Sequence, residues 1–300
     1  MAESPIAQSV RDRLLHRTRE TGEDYQVVLT RFALERLLYR LTQLPESKDF
    51  VLKGAFVFLV WEGELGRQTR DLDFLGSGPP DEERLRRIIE RACRADVLED
   101  GVEFHVESLS VTPIREGAVY EGLRATLYAS IGDARLPVQI DVGFGDTIVP
   151  DPENRTFPGL LDFPEPQIAT YPPETVVAEK VHGMVHLGRA NSRVKDFYDV
   201  WRISQLTRFE SADLSEAITS TFARRETDIP TETPIALTTE FAEMPDKKRQ
   251  WAALTRQTDE DTSWREVIRR LRAFLAPVVH DAAPEGDRSC TWPPGGPWTK

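Results

Sequence analysis

Between Val27 and Leu44 apolar residues recur at Leu29, Phe32, Leu34, Leu37, Leu38 and Leu41, the spacing of a helix that buries one face. The pattern then changes. From Asp49 to about Val149 short apolar runs take over: Phe50 to Leu52, Leu72 to Leu75, Glu103 to Val111, Leu123 to Ile131 and Leu136 to Val142. Helical stretches at Ala55 to Glu62 and Pro80 to Ala95 separate the first of these, which predicts an α/β (α+β) core around a mixed sheet. Six prolines between Asp151 and Pro173 exclude a continuous helix or a central strand and predict a connector between two lobes. Helical spacing returns at Glu174 to Leu187, Arg193 to Leu206, Leu214 to Arg225, Pro245 to Thr255 and Ser263 to Val279. The final stretch is rich in Pro and Gly and predicts a tail without fixed structure. The expected organisation is a helical segment over 1–48, a core over 49–150, a connector over 151–173, a helical lobe over 174–280 and a flexible tail over 281–300.

Composition narrows the function classes. A hydrophobic fraction of 40% in 300 residues is enough for a real core. The formal net charge of −12 argues against a protein that coats nucleic acid, because non-specific binding rests on neutralised phosphates. Basic clusters at Arg84, Arg86, Arg87 and Arg91 and at Arg265, Arg269, Arg270 and Arg272 read as solvated helix faces balanced by acids. A third lies at Arg189, Arg193 and Lys195. Cys93 and Cys290 are the two cysteines, too few for a zinc knuckle or a disulfide framework, which fits a reduced compartment. The charged N-terminus has no apolar signal-peptide core, and no apolar run approaches a membrane span, so the expected location is cytoplasmic, with no membrane partner.

The candidate chemistry starts at Lys53-Gly54-Ala55 and Asp71-Leu72-Asp73. A glycine turn opening a helix can hold phosphates on backbone N–H groups, and two acids one residue apart on a strand share a face. In Leu136 to Val142, Val138, Ile140 and Val142 alternate with Gln139 and Asp141, so Asp141 becomes a third carboxylate if this strand lies beside the first. Carboxylates around Mg²⁺ make a site for phosphoryl or nucleotidyl transfer. Alternatives stand beside these readings: an ion pair of Asp71 with Arg70 or Arg67, and a turn role for Asp141 near Gly143 and Gly145. Asp146 reads as a loop or capping residue. Lys180 lies at the edge of an apolar helix face, able to reach a cleft or to snorkel into water. Arg193, Asp196 and Asp199 share a helical face, with an i,i+4 pair of Lys195 and Asp199 as the plain alternative.

From about Tyr25 to Val279 the chain resembles the AbiEii/AbiGii toxins, nucleotidyltransferase-like proteins of type IV-like bacterial toxin–antitoxin systems that include the mycobacterial tRNA-modifying group. Five motifs in order carry the resemblance: Val-Leu-Lys53-Gly54-Ala55, Arg67-Gln-Thr69-Arg70-Asp71-Leu-Asp73, Val-Gln-Ile-Asp141-Val-Gly-Phe-Gly-Asp146, Ala-Glu179-Lys180-Val-His182 and Ser192-Arg193-Val-Lys195-Asp196-Phe-Tyr-Asp199. Lys248-Arg249-Gln250-Trp251 is a looser echo. The resemblance implies a DNA polymerase β-like nucleotidyltransferase core with a helical C-terminal lobe, using Mg²⁺ or Mn²⁺ and an NTP. It implies Asp71 and Asp73 as metal ligands, Asp141 as metal ligand or base, Lys180 as triphosphate contact and Asp196 as a catalytic carboxylate. Lys53, Gly54, Ala55, Arg67, Thr69, Arg193 and Asp199 become nucleotide-binding candidates, with Arg70 as a second-tier contact.

Two positions stand out against the family pattern. Many nucleotidyltransferases have Gly-Ser or Gly-Gly at the turn, whereas Ala55 lacks the hydroxyl that can touch a terminal phosphate. Thr69 matches a hydroxyl residue that is phosphorylated in some relatives, and reads otherwise as a strand threonine. The implied function is a toxin that transfers a nucleotide to an RNA acceptor, above all the tRNA 3′ end, countered by a cognate antitoxin. A metal-dependent phosphodiesterase or nuclease, and a non-catalytic RNA- or protein-binding regulator, are the readings from other classes.

Overall fold

The computed structural model describes residues 4–116, 120–256, 258, 260–281 and 290–300. The chain divides into two compact units, one comprising Met1–Gly145 with Glu153–Thr170 and the other Asp146–Pro152 with Tyr171–Lys300.

The first unit opens with two helices, α1 (Pro5–Thr21) and α2 (Tyr25–Thr42). The expected opening helix is α2; α1 precedes it, burying Ala7, Val10, Leu14 and Thr18 at helical spacing before Gly22 turns the chain with φ 73°. Then come β1 (Phe50–Lys53), α3 (Phe56–Glu62), β2 (Asp71–Gly76), α4 (Glu82–Cys93), β3 (Val102–Glu116), β4 (Tyr120–Ile131) and β5 (Ala134–Phe144). The short strands β6 (Glu153–Thr156) and β7 (Gln167–Thr170) complete a seven-stranded mixed sheet in the order β3-β4-β5-β2-β1-β7-β6. Leu72 and Phe74 of β2, Leu123, Ala125 and Leu127 of β4, and Leu136, Val138, Ile140 and Val142 of β5 are buried. Helices α1, α2 and α4 pack against the sheet, so the alternate residues, Asp71, Asp73, Gln139, Asp141 and Arg124, lie on the other face.

The connector expected over 151–173 is two strands of this sheet, with β7 pairing parallel to β1. Its prolines break neither strand, because Pro152 precedes β6, Pro158, Pro164 and Pro166 fall in the link, and Pro172 and Pro173 follow β7. The link is fastened to α2: Leu160 N donates to Glu35 at 2.8 Å, and Arg36 Nη2 donates to the Pro164 carbonyl at 2.9 Å. Glu35, Arg36 and Arg40 are buried, Arg40 in a two-pronged pair with Asp100 at 2.7 and 2.9 Å, so α2 is enclosed on more than its apolar face.

The second unit consists of α5 (Pro173–Leu187), α6 (Val194–Leu206), β8 (Phe209–Glu210), α7 (Ser211–Arg224), α8 (Thr239–Glu243), α9 (Pro245–Thr255), α10 (Trp264–Asp281) and β9 (Thr291–Trp292). Phe197, Phe241, Trp251 and Trp264 form an aromatic core. Of the tail expected over 281–300, the described residues are 281, which ends α10, and 290–300, where β9 pairs with β8. Trp292 is buried with its indole N–H on the Ser204 carbonyl, and Trp298 stacks on Phe274 while donating to that residue's carbonyl at 2.9 Å. Two indoles supply the burial that the Pro and Gly content hides. Residues 282–289 of the expected tail lie outside the described residues.

Candidate active site

Register builds the site. Strand β2 lies between β1, antiparallel to it, and β5, parallel to it, with Asp73 opposite Lys53 on one side and Asp141 on the other. Asp141 in turn faces Arg124 of β4. Directly opposed residues share a face, so one row across four strands reads Lys53, Asp73, Asp141, Arg124. The neighbouring row holds Asp71, Gln139 and Thr126.

One carboxylate oxygen from each of Asp71, Asp73 and Asp141 lies within 4.8 Å of the others, and all three side chains are half-buried. A magnesium ion holds oxygens at about 2.1 Å in an octahedron, so its ligand oxygens stand about 3 to 4.2 Å apart. Small side-chain rotations close that span, and an all-oxygen donor set suits a hard divalent cation. Thr69 Oγ1 donates to Asp71 Oδ1 at 2.7 Å, so the hydroxyl, buried just before β2, orients the first acid. Asp141 receives Arg124 on both oxygens, Nε to Oδ1 at 2.8 Å and Nη2 to Oδ2 at 2.6 Å, and Gln139 Nε2 on Oδ2 at 3.2 Å. That hydrogen bonding, followed by the negative charge of Asp141, Asp71 and Asp73, raises the pKa of the Arg124 guanidinium.

Gly54 ends β1 with φ 72°, and Ala55 caps α3 from a helical conformation. A Cβ on Gly54 would stand 2.0 Å from Asp73 Oδ2 and 2.7 Å from its Cγ. Glycine is therefore required twice, for the left-handed turn and for the approach of the second acid. Ala55 is buried, Arg67 is half-buried in the link between α3 and β2, and Arg70 is exposed.

In the second unit, Lys180 of α5 is neither snorkelling nor solvated: its Nζ donates to Asp196 Oδ1 at 2.7 Å and Asp199 Oδ2 at 2.9 Å. Asp199, 2% exposed, turns inward onto Lys180 while Lys195 points to solvent. Arg193 precedes α6 and is exposed. Asp146 is more than a loop acid, since it accepts from Arg225 Nη2 at 3.1 Å. Arg225 Nη1 also donates to His182 Nδ1 at 3.2 Å, which leaves the Nε2 proton for Thr227 Oγ1 at 2.9 Å. Thr227 in turn donates to the Arg225 carbonyl, so the set is closed with a neutral imidazole. Burial, then the Arg225 charge, pushes His182 down to about 4.

Within the first unit the structure thus brings together Asp71, Asp73, Asp141, Thr69, Gly54 and the end of β1 at Lys53; within the second it joins Lys180, Asp196 and Asp199. The basic cluster on α4 is absorbed as expected, with Arg84 on Asp49 and Arg91 on Glu46. On α10, Arg269 and Arg270 bind Glu266. Sequence reading missed Arg124 and Arg225. The signal for Arg124 is a charged residue alternating with Leu123 and Ala125, which gains meaning only once β4 is known to neighbour β5.

The chain is 12% identical to a structure described as a candidate nucleotidyltransferase from H. pylori, covering 86% of this chain and 96% of that one with a TM-score of 0.49. It is likewise 12% identical to the JHP933 protein of Helicobacter pylori, covering 86% and 93% with a TM-score of 0.51, a likeness of fold. No curated protein matches the sequence. The family described as nucleotidyl transferase AbiEii toxin, type IV TA system, matches residues 36–275, a span that contains every candidate site residue above. The chain accordingly belongs to the AbiEii family of nucleotidyltransferase toxins of type IV toxin–antitoxin systems.

Proposed function

We propose that this protein transfers a nucleotide from an NTP to an RNA acceptor, most directly the 3′ hydroxyl of tRNA, with Mg²⁺ or Mn²⁺ held by Asp71, Asp73 and Asp141. Acting in the cytoplasm, it would block aminoacylation and stop translation until countered by its antitoxin. The observation that carries this reading is the in-register placement of three carboxylate side chains on one sheet face beside the Gly54 turn.

Bound to the triad, a divalent ion would supply Lewis-acid polarisation of the phosphoryl oxygens and stabilise the charge that develops on them. The chain's own groups do the rest. Backbone N–H groups at Gly54 and Ala55, with Lys53 and Arg67 nearby in sequence, receive phosphate oxygens. Thr69 keeps Asp71 in one rotamer. In the transfer, the acceptor oxygen bonds to the α-phosphorus, the bond to the bridging oxygen breaks, pyrophosphate leaves, and the hydroxyl proton passes to an Asp141 oxygen. In the second unit, Lys180, Asp196, Asp199 and Arg193 are the candidate triphosphate and nucleotide contacts that the family resemblance implies.

The test is incubation with each α-labelled NTP and total tRNA, followed by mapping of the labelled end. Extension at the 3′ end by the wild type and none by Asp71→Ala is the expected result. No incorporation from any NTP, or shortened RNA, would overturn it, the latter in favour of a phosphodiesterase.

A further inference from the structure

Nucleotidyl transfer as described leaves one charged side chain of the site unused, Arg124. It holds both oxygens of Asp141, at 2.8 and 2.6 Å, while Gln139 adds a third hydrogen bond to Oδ2. An ionised carboxylate offers about four lone-pair directions, so about one, on Oδ1, is left for a metal. A divalent ion taking it would stand beside the guanidinium on the same oxygen, and their charges repel.

The two partners of this pair are unequal. The Arg124 side chain is 42% exposed, that of Asp141 17%. The arginine thus has water to swing into, whereas the acid is fixed by its strand and by Gln139. Three carboxylates whose oxygens lie within 4.8 Å also repel one another, and Arg124 faces Asp141 from β4 as Lys53 faces Asp73 from β1. An ordinary exposed ion pair would contribute little to stability, and its place in the row of acids would then be incidental.

The geometry points to Arg124 as a resident counter-ion of the acidic triad, a positioning residue that pairs with Asp141 and is released from it when a divalent ion binds. This rests on the reading of the triad as a metal site. It makes metal affinity a balance, set lower than three carboxylates alone would give. A unit charge about 6 Å from a divalent ion in a water-accessible site corresponds to about tenfold in affinity.

The experiment is calorimetric titration of Mn²⁺ into the full-length protein without nucleotide. Arg124→Gln is expected to bind Mn²⁺ about tenfold tighter than wild type, and Arg124→Lys, which keeps the charge but loses the second prong, to fall between them. Asp73→Asn is the check on the site itself. If it leaves Mn²⁺ binding intact, or wild type binds none, the metal-site reading fails and this inference with it. If Asp73→Asn abolishes binding but Arg124→Gln binds equally or more weakly, the counter-ion role alone is overturned. A second measurement needs no variant: the Arg124 Nε–H resonance in ¹⁵N-arginine-labelled protein, slowed in exchange by the ion pair, should lose that protection at saturating Mg²⁺. Unchanged protection refutes release.

Discussion

Replacing Gly54 by alanine separates two costs that the structure superimposes at one residue. The first is conformational: at φ 72° a Cβ crowds the following carbonyl, costing about 1–2 kcal/mol. The second is a collision, because the new methyl would lie 2.0 Å from Asp73 Oδ2 and 2.8 Å from its Cβ. Moving a half-buried side chain out of the way adds about 1–3 kcal/mol by analogy with overpacked sites. Gly22 supplies the control, since its φ is 73° and nothing lies within 4 Å of its ideal Cβ. Gly22→Ala should therefore lose only the first amount. Hydrogen exchange across residues 50–76, with urea unfolding of the whole chain, measures both variants, and exchange reports on this segment separately from the second unit. In the double variant Gly54→Ala with Asp73→Gly the Asp73 carboxylate and its Cβ are both gone, so relative to Asp73→Gly alone the loss should return to about that of Gly22→Ala, a coupling of about 1–3 kcal/mol. Transfer activity of Gly54→Ala should fall about 100-fold with the fold intact, because the displaced Asp73 carboxylate leaves the proposed metal site. Equal losses for Gly54→Ala and Gly22→Ala, with no coupling to Asp73, would refute the reasoning.

Lys180→Met leaves Asp199 buried beside Asp196 without their shared cation, and should cost about 2–4 kcal/mol in urea unfolding. Adding Asp199→Asn should recover about half of that. His182 is held near 4 against about 6.5 in an unfolded chain, so folding favours its neutral form. Its contribution to stability is therefore complete above pH 6.5 and is lost as pH falls toward 4, where only the unfolded chain takes up the proton. His182→Gln, whose amide can reproduce both the Arg225 and the Thr227 hydrogen bonds, should show a smaller drop in Tm between pH 6.5 and 4.5. An identical drop in both proteins would remove His182 from the account.

Local pattern reveals what depends on local pattern. The Asp71-x-Asp73 alternation, the strands around Leu72 and Ile140, and the helices of the second unit are visible because burial at period two or near three and a half writes itself into sequence. The pairing of Asp141 with Asp73 follows only if β5 is known to neighbour β2. Gly54 could be read as a turn, but not as the residue that makes room for Asp73, since that contact joins two strands. Arg124 was hidden for the same reason. Prolines misdirected the reading of 151–173, because their count was visible and their placement between short strands was not. Trp292 and Trp298 were outweighed by the Pro and Gly around them.

The row of Lys53, Asp73, Asp141 and Arg124 across adjacent strands also bears on when, during synthesis, the triad can form. Asp73 and Asp141 meet only through the parallel pairing of β2 with β5, a long-range contact of the kind that forms late, and a one-residue slip would send either acid to the opposite face. A nascent chain that has not yet emerged past β5 carries Asp71 and Asp73 without their third partner. On the proposed reading of the triad as the metal site, transfer activity waits until the sheet is complete.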